Sequence, residues 1–246
     1  MEIEPIGQGK NIGPKYFFCK KNENQQLKQM RKLNFIHALT FLCALLFFSC
    51  SGDKMDWQEG DILFQDGDCG DFCDAIRKVT QGYEGRDFSH NGLLMKEKGE
   101  WFVLEAVSKG VSKTALKEFM GRQLDGNGNP KVVVGRLVPE FQSLIPAALI
   151  EAQALLGKPY DVVFDLENDT YYCSELIHFA FKKANGGKNV FTPKPMTFVD
   201  PDTGELFGIW NTYYAKMGIS APEGEMGLNP GGMSLEPVLE IIYAFY

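Results

Sequence analysis

The most informative segment of the sequence is YYCSELIHFAFKKA, residues 171–184. Apolar residues recur through it at helical spacing, and the Asn-Gly-Gly at 185–187 predicts the end of a helix that spans 172–184. Cys173 lies in the first turn, where unpaired N–H groups and the positive end of the helix dipole stabilise a thiolate over a thiol. The position predicts a nucleophile; a cysteine packed as a small apolar residue is the alternative.

Two histidines outside the first 49 residues could serve as the base that a cysteine nucleophile needs. His178 lies five positions after Cys173, about 140° around the same helix, which predicts a surface or packing role. His90 lies early in a predicted strand over 89–95, before Gly92, whose missing side chain leaves room for a neighbouring backbone or a substrate. His90 is the candidate base, although a lone strand histidine is more often structural.

Glu105 interrupts the apolar residues of a second predicted strand, 101–107. A carboxylate in such a strand is expected to have a partner. If the polar turn 96–100 folds this strand against 89–95 about a centre near 97.5, positions 90 and 105 fall opposite or diagonal to one another. Glu105 is the candidate to orient the imidazole; an edge residue that faces solvent is the alternative.

The N-terminal part has the pattern of a secretory signal. A basic cluster at 30–32 precedes an apolar run over 33–49, which is marginal in length for a membrane span. The serine before Cys50 resembles the cleavage box of bacterial lipoproteins, which predicts lipidation of Cys50. A signal anchor and a buried structural cysteine are the alternatives.

These features divide the chain into four parts. Residues 1–29 are expected to be a misassigned start or a disordered tail, 30–49 a lipoprotein-type signal peptide, 50–58 a tether and 59–246 one domain. Residues 50–246 carry 18 Lys and Arg against 29 Asp and Glu, a net charge of −11. This acidic balance argues against nucleic acid as a partner and against attraction to an anionic lipid surface. Attachment to a membrane would therefore depend on the lipid at Cys50.

Predicted strands outnumber predicted helices and are mostly consecutive, which indicates an α+β fold. Besides the elements above, we expect helices over 71–81, 115–120 (capped by Thr114) and 144–156, and strands over 60–64, 131–138 and 238–246.

Several motifs together resemble a known family. They are Gly60-Asp61-Ile62-Leu63-Phe64, Ser89-His90-Asn91-Gly92, Glu105-Ala106, Gly110-Val111, Tyr160-Asp161 and Tyr172-Cys173-Ser174-Glu175-Leu176-Ile177. In this order they resemble the circularly permuted branch of the NlpC/P60 papain-like superfamily, the YiiX-type amidases or peptidases. Asn91 departs from the pattern, since many relatives have an apolar residue there.

The resemblance implies a papain-like fold in which an antiparallel sheet packs against the helix that bears the cysteine. It also implies a triad of Cys173, His90 and Glu105, with Tyr160 and Tyr172 as substrate-binding residues of the cleft. No metal and no other cofactor is expected.

The expected activity is cleavage of an amide by a thiol hydrolase that is anchored by lipid in the bacterial cell envelope. Peptidoglycan stem peptides are the first candidate substrate. An acyl-lipid amide or ester hydrolase, or an acyltransferase, is one alternative. A catalytically silent binding lipoprotein is another, and the oligomeric state stays open.

Two other signals are weaker. Residues 125–129 resemble the start of a calcium loop, but Pro130 and Arg136 stand where Gly and Glu are needed, so a hairpin turn is expected. Cys69 and Cys73 lack a second ligand pair at metal spacing, which favours packing or a local disulfide, with thiol–disulfide chemistry as a further possibility.

Overall fold

A six-stranded antiparallel sheet forms the centre of residues 55–246, the part of the chain that the computed structural model describes. Its strands are β1 Ile62–Gln65, β2 His90–Glu97, β3 Glu100–Val107, β4 Gly110–Ala115, β5 Val132–Leu137 and β8 Leu239–Ala244. They lie in the order β4-β3-β2-β1-β5-β8. A separate two-stranded ribbon pairs β6 Lys194–Pro195 with β7 Met226–Gly227. The mixed architecture with an antiparallel sheet confirms the predicted α+β class.

The predicted tail, the signal segment and Cys50 lie outside the described residues. Within 55–246, no helix combines the length and apolarity needed to cross a bilayer. The end of the expected tether packs on the domain, because the Trp57 ring stacks on Phe245 with their centroids 5.8 Å apart.

The β2–β3 hairpin turns at Lys98 and Gly99, which both have positive φ, 51° and 89°. Two such residues form the tight turn that matches strand twist. Glu97 therefore pairs with Glu100, and the expected turn centre is wrong by one residue. Each residue of β2 therefore pairs with a β3 residue two positions away from the expected one. Because side chains alternate between the faces of a sheet with a period of two, His90 and Glu105 still share a face.

Seven α-helices accompany the strands in the described part, besides a 3₁₀ turn at Tyr83–Gly85. They are α1 Asp71–Val79, α2 Leu116–Gly121, α3 Pro139–Gln142, α4 Ile145–Ala154, α5 Cys173–Ala184, α6 Gly208–Met217 and α7 Pro230–Ser234. Helix α5 inserts Leu176, Ile177, Ala180 and Phe181 into the core, all without solvent exposure. Burial of each large side chain is worth about 1.5–3 kcal/mol, which fixes the helix against the sheet.

A second core lies around Leu63, Leu94, Val103 and Phe119, so the central strands are buried on both faces. This explains the weak alternation of their sequences. Strand β4 and helix α6 were not predicted, and Thr114 lies in β4 instead of capping α2. Helix α6 packs Trp210 and Tyr214 in an aromatic cluster with Phe198.

Candidate active site

Cys173 is the first residue of α5 and is the free cysteine of the described residues. The Glu175 carboxyl accepts a hydrogen bond of 3.1 Å from the backbone N–H of Tyr172, which caps the helix start. Burial and the charges of Asp161 and Asp165 raise the pKa of Glu175 to about 9. Glu175 is therefore neutral near pH 7 and places no negative charge beside the Cys173 thiolate.

His90, the first residue of β2, lies close enough to Cys173 for each side chain to shift the pKa of the other. Burial alone would raise the pKa of the thiol, but the hydrogen bond and charge of His90, with a backbone hydrogen bond from Asn91, lower it overall. Burial alone would lower the pKa of His90, but Cys173 and Glu105 raise it to about 9. Both directions favour a thiolate–imidazolium pair.

Glu105 lies behind the imidazole, with its Oε2 atom 2.7 Å from Nε2 of His90. This leaves Nδ1 of the ring for the sulfur. Extended beyond Leu93–Leu104, the strand register places Glu105 opposite Gly92, so His90 is its diagonal neighbour on the same face. The carboxylate is fully buried, and burial would raise its pKa, but bonds from His90 and Arg122 hold the pKa well below its usual range.

Arg122 is a further residue of this group, and no sequence motif identifies it. Its two terminal nitrogens donate to Oε2 and Oε1 of Glu105 at 2.9 and 2.8 Å. The Thr114 side chain also helps to lower the pKa of this carboxylate. The one available signal was indirect: a buried carboxylate needs a compensating cation. Nothing in the local sequence distinguishes Arg122 from other surface arginines.

His178 lies apart from this group. Its Nδ1 atom is 3.1 Å from the carbonyl oxygen of Phe191, and the residue is buried. Burial and the nearby Lys182 lower the pKa of His178 to about 4, so the ring is neutral near pH 7. It has the predicted packing role, not the surface role.

A groove with a volume of about 130 Å³ opens beside Cys173, and Tyr160 and Tyr172 both line it. The Tyr172 hydroxyl accepts a 2.9 Å hydrogen bond from the Leu228 N–H. The remaining lining side chains are mostly apolar and none is charged: Ile76, Val79, Thr80, Ser89, Phe164, Pro195, Met196, Thr197, Phe198, Trp210, Leu228, Asn229 and Pro230.

Asn91 is fully buried in β2, and its Nδ2 atom donates to the Ser174 hydroxyl at 3.0 Å. The polar residue at this position thus links the histidine strand to the start of the cysteine helix. The departure from the family pattern leaves the arrangement of His90 and Cys173 intact.

Cys69 and Cys73 form a disulfide. The 125–129 segment is a turn in which Oδ1 of Asp125 accepts backbone hydrogen bonds from Asn127 and Asn129, both at 2.8 Å. Across the described range, no three His, Cys, Asp or Glu side chains form a group that could hold a metal ion.

Comparison with known proteins identifies the family and supports the fold. Residues 56–243 match the family described as "Permuted papain-like amidase enzyme, YaeF/YiiX, C92 family". The chain is 33% identical over 129 residues to the uncharacterized protein YiiX of Escherichia coli strain K12, a match that covers 52% of this chain and 59% of the relative. The match thus spans about three fifths of that curated relative.

The fold also resembles a crystal structure from Escherichia coli O157:H7, described as metalloprotein yiiX, DUF1105. The TM-score is 0.63 at 26% sequence identity, and the match covers 77% of this chain and 98% of the other. The resemblance therefore extends over nearly the whole of that solved chain.

Proposed function

The chain belongs to the permuted papain-like amidase family, a family of cysteine amidases and peptidases, and we propose that Cys173, His90 and Glu105 carry its hydrolase chemistry. The observation that supports this assignment is the chain of contacts from the Cys173 thiol through His90 to the buried Glu105. Nucleophile, base and orienting carboxylate stand in the order that such catalysis requires.

The reaction follows from these contacts. The Cys173 thiolate attacks the carbonyl carbon of an amide, and the negative oxygen is met by the Cys173 N–H, which has no acceptor within the helix. The imidazolium of His90 gives its proton to the leaving nitrogen as the C–N bond breaks. Neutral His90 then takes a proton from water, whose oxygen attacks the thioester carbon. The C–S bond breaks, which releases a carboxylic acid and restores the Cys173 thiolate beside the His90 imidazolium.

Selective alkylation tests the assignment. The rate of iodoacetamide labelling of Cys173 is measured from pH 4 to 9 in the wild type, His90→Ala and His178→Gln. We expect the wild type to label faster near pH 6 than a free model thiol, His90→Ala to lose this excess and His178→Gln to keep it. Labelling no faster than the model thiol would support the silent binding protein instead.

We propose an amide with an apolar acyl group as the substrate. The groove beside Cys173 supports this choice, because aromatic and aliphatic side chains such as Phe164, Phe198 and Trp210 line it without a charged partner. Charged peptidoglycan stem peptides, the first substrate expected from the sequence, would lack paired groups there.

A substrate series separates these two classes. Long-chain N-acyl amino acids, short-chain analogues and stem peptides are compared by kcat/KM, with Trp210→Ala as the groove variant and exposed Leu124→Ala as its control. A higher kcat/KM for the long-chain substrate that decreases in Trp210→Ala would support the acyl substrate. Cleavage of stem peptides alone would refute it.

We further propose that the protein is held in the bacterial cell envelope by lipid on Cys50. The basic and apolar segments before Cys50 and the net charge of −11 after it support a lipid anchor over electrostatic attachment. Radiolabelled palmitate supplied to an expressing bacterium should label the wild type and not Cys50→Ala. Equal labelling of both would contradict the proposal.

A metal does not enter this mechanism. The similar Escherichia coli protein is described as a metalloprotein, but the described residues of this chain do not provide a group of three suitable ligands. We expect dialysis against EDTA to leave the Cys173 labelling rate unchanged, and a loss restored by added zinc would contradict this.

A further inference from the structure

The carboxylate of Glu105 has two cationic neighbours. His90 approaches Oε2 at 2.7 Å, and the Arg122 guanidinium bridges both oxygens at 2.8 and 2.9 Å. Such a two-point pair fixes the plane of the carboxylate as well as its position.

The two cations differ during the proposed reaction. His90 loses its charge each time it gives its proton to a leaving nitrogen. Without Arg122, Glu105 would at that stage be a buried carboxylate with no charged partner. Arginine stays protonated at any pH of interest, and the hydrogen bond to Glu105 raises the pKa of Arg122 further. Arg122 thus supplies the permanent countercharge.

We propose that Arg122 is a positioning residue of the hydrolase: its guanidinium holds the Glu105 carboxylate ionised and aimed at Nε2 of His90 throughout the catalytic cycle. This inference rests on the proposed triad. The guanidinium contacts neither the thiol nor the groove, so it would act only through Glu105.

Helix α2 places this arginine. Arg122 directly follows the helix, and its guanidinium lies 5.4 Å from the centre of the Phe119 ring. The same ring lies 5.9 Å from the His90 ring. The further groups that act on the pair are the Thr114 hydroxyl, which helps to lower the pKa of Glu105, and Glu118, whose charge acts on Arg122. Neither is a second cation, so none replaces Arg122.

A purely structural ion pair would have the same distances, and the molecule contains a matched example. Arg136 bonds both oxygens of fully buried Asp61 at 2.7 and 2.9 Å on the same sheet. Arg136→Met therefore removes an equivalent pair with no link to His90 and controls for lost stability.

The test compares the pH profile of Cys173 labelling in the wild type, Arg122→Met, Arg122→Lys and Arg136→Met. Without Arg122, the buried carboxylate takes up a proton at higher pH and releases the imidazolium, which destabilises the thiolate. We expect the acid limb of the profile, where labelling slows as the pH falls, to move up by about one pH unit in Arg122→Met. Labelling of this variant near pH 6 should be roughly tenfold slower than that of the wild type. Arg122→Lys should keep the limb and lose about threefold in rate because it donates at one point only.

Arg136→Met should keep the wild-type profile although it unfolds at lower urea. A wild-type profile in Arg122→Met, or an equal shift in Arg136→Met, would overturn the inference. If Arg122→Met does not fold, Arg122→Lys provides the test, and labelling of Arg122→Lys at the wild-type rate would overturn the inference. Slow labelling of the wild type itself would instead refute the proposed triad.

Discussion

Replacing Gly92 by alanine should force β2 and β3 apart where they bring His90 and Glu105 together. A Cβ atom at position 92 would overlap Cγ1 of Val103 and lie 3.3 Å from the carbonyl oxygen of Leu104. Carbon atoms pack at about 3.5–4.0 Å. Val103 is fully buried and its β-branched side chain has little rotamer freedom, so the strands themselves must move.

The cost follows from this overlap. Overpacking a core by a methyl group destabilises by about 1–3 kcal/mol, and a displacement of about 1 Å at a reacting pair can cost roughly 100-fold. We expect Gly92→Ala to lose about 2 kcal/mol in the free energy of unfolding and to label Cys173 at least tenfold more slowly near pH 6.

Urea unfolding and iodoacetamide labelling measure the two effects, and a double variant tests their cause. Val103→Ala removes the overlapping atom, so Gly92→Ala/Val103→Ala should be more stable than the sum of the two single changes by about 0.5–3 kcal/mol. Gly126→Ala, where an added Cβ meets nothing within 4 Å, is the control. Strictly additive losses, or wild-type labelling by Gly92→Ala, would refute the reasoning.

Three further outcomes are expected. Glu105→Gln removes the charge that stabilises the imidazolium, so the acid limb of labelling should rise by about one pH unit; an unchanged limb would contradict this. The pKa of His178 is about 4 in the folded protein, below its unfolded value of about 6.5. The free energy of unfolding should therefore fall as the pH drops from 6.5 towards 4, by up to about 3 kcal/mol. His178→Gln should remove this fall in urea titrations. Reduction of the Cys69–Cys73 disulfide by dithiothreitol, followed by removal of the reductant, should leave substrate turnover intact, because the proposed chemistry uses Cys173 alone; lost turnover would favour thiol–disulfide chemistry.

Local patterns account for the elements that could be predicted. The apolar spacing of 172–184 predicts α5 to within one residue, and the β-rich runs predict the main strands of the sheet. Strand β4 was missed because Ser112 and Lys113 make its sequence look polar, whereas its pairing with β3 decides its conformation. Helix α6 was missed because it lies in a segment rich in Gly and Pro, where cluster packing stabilises it.

Periodicity along single elements is enough to predict the class of fold, the position of Cys173 at a helix start and the preference for His90 over His178. The partners of Glu105, the register that makes His90 its diagonal neighbour and the apolar lining of the groove depend on how separate elements pack. Those contacts join residues from separate elements, and their energies depend on distance and burial in space. Arg122 shows the difference most clearly: its charge is visible in the sequence, but its role arises only where the end of α2 meets β3.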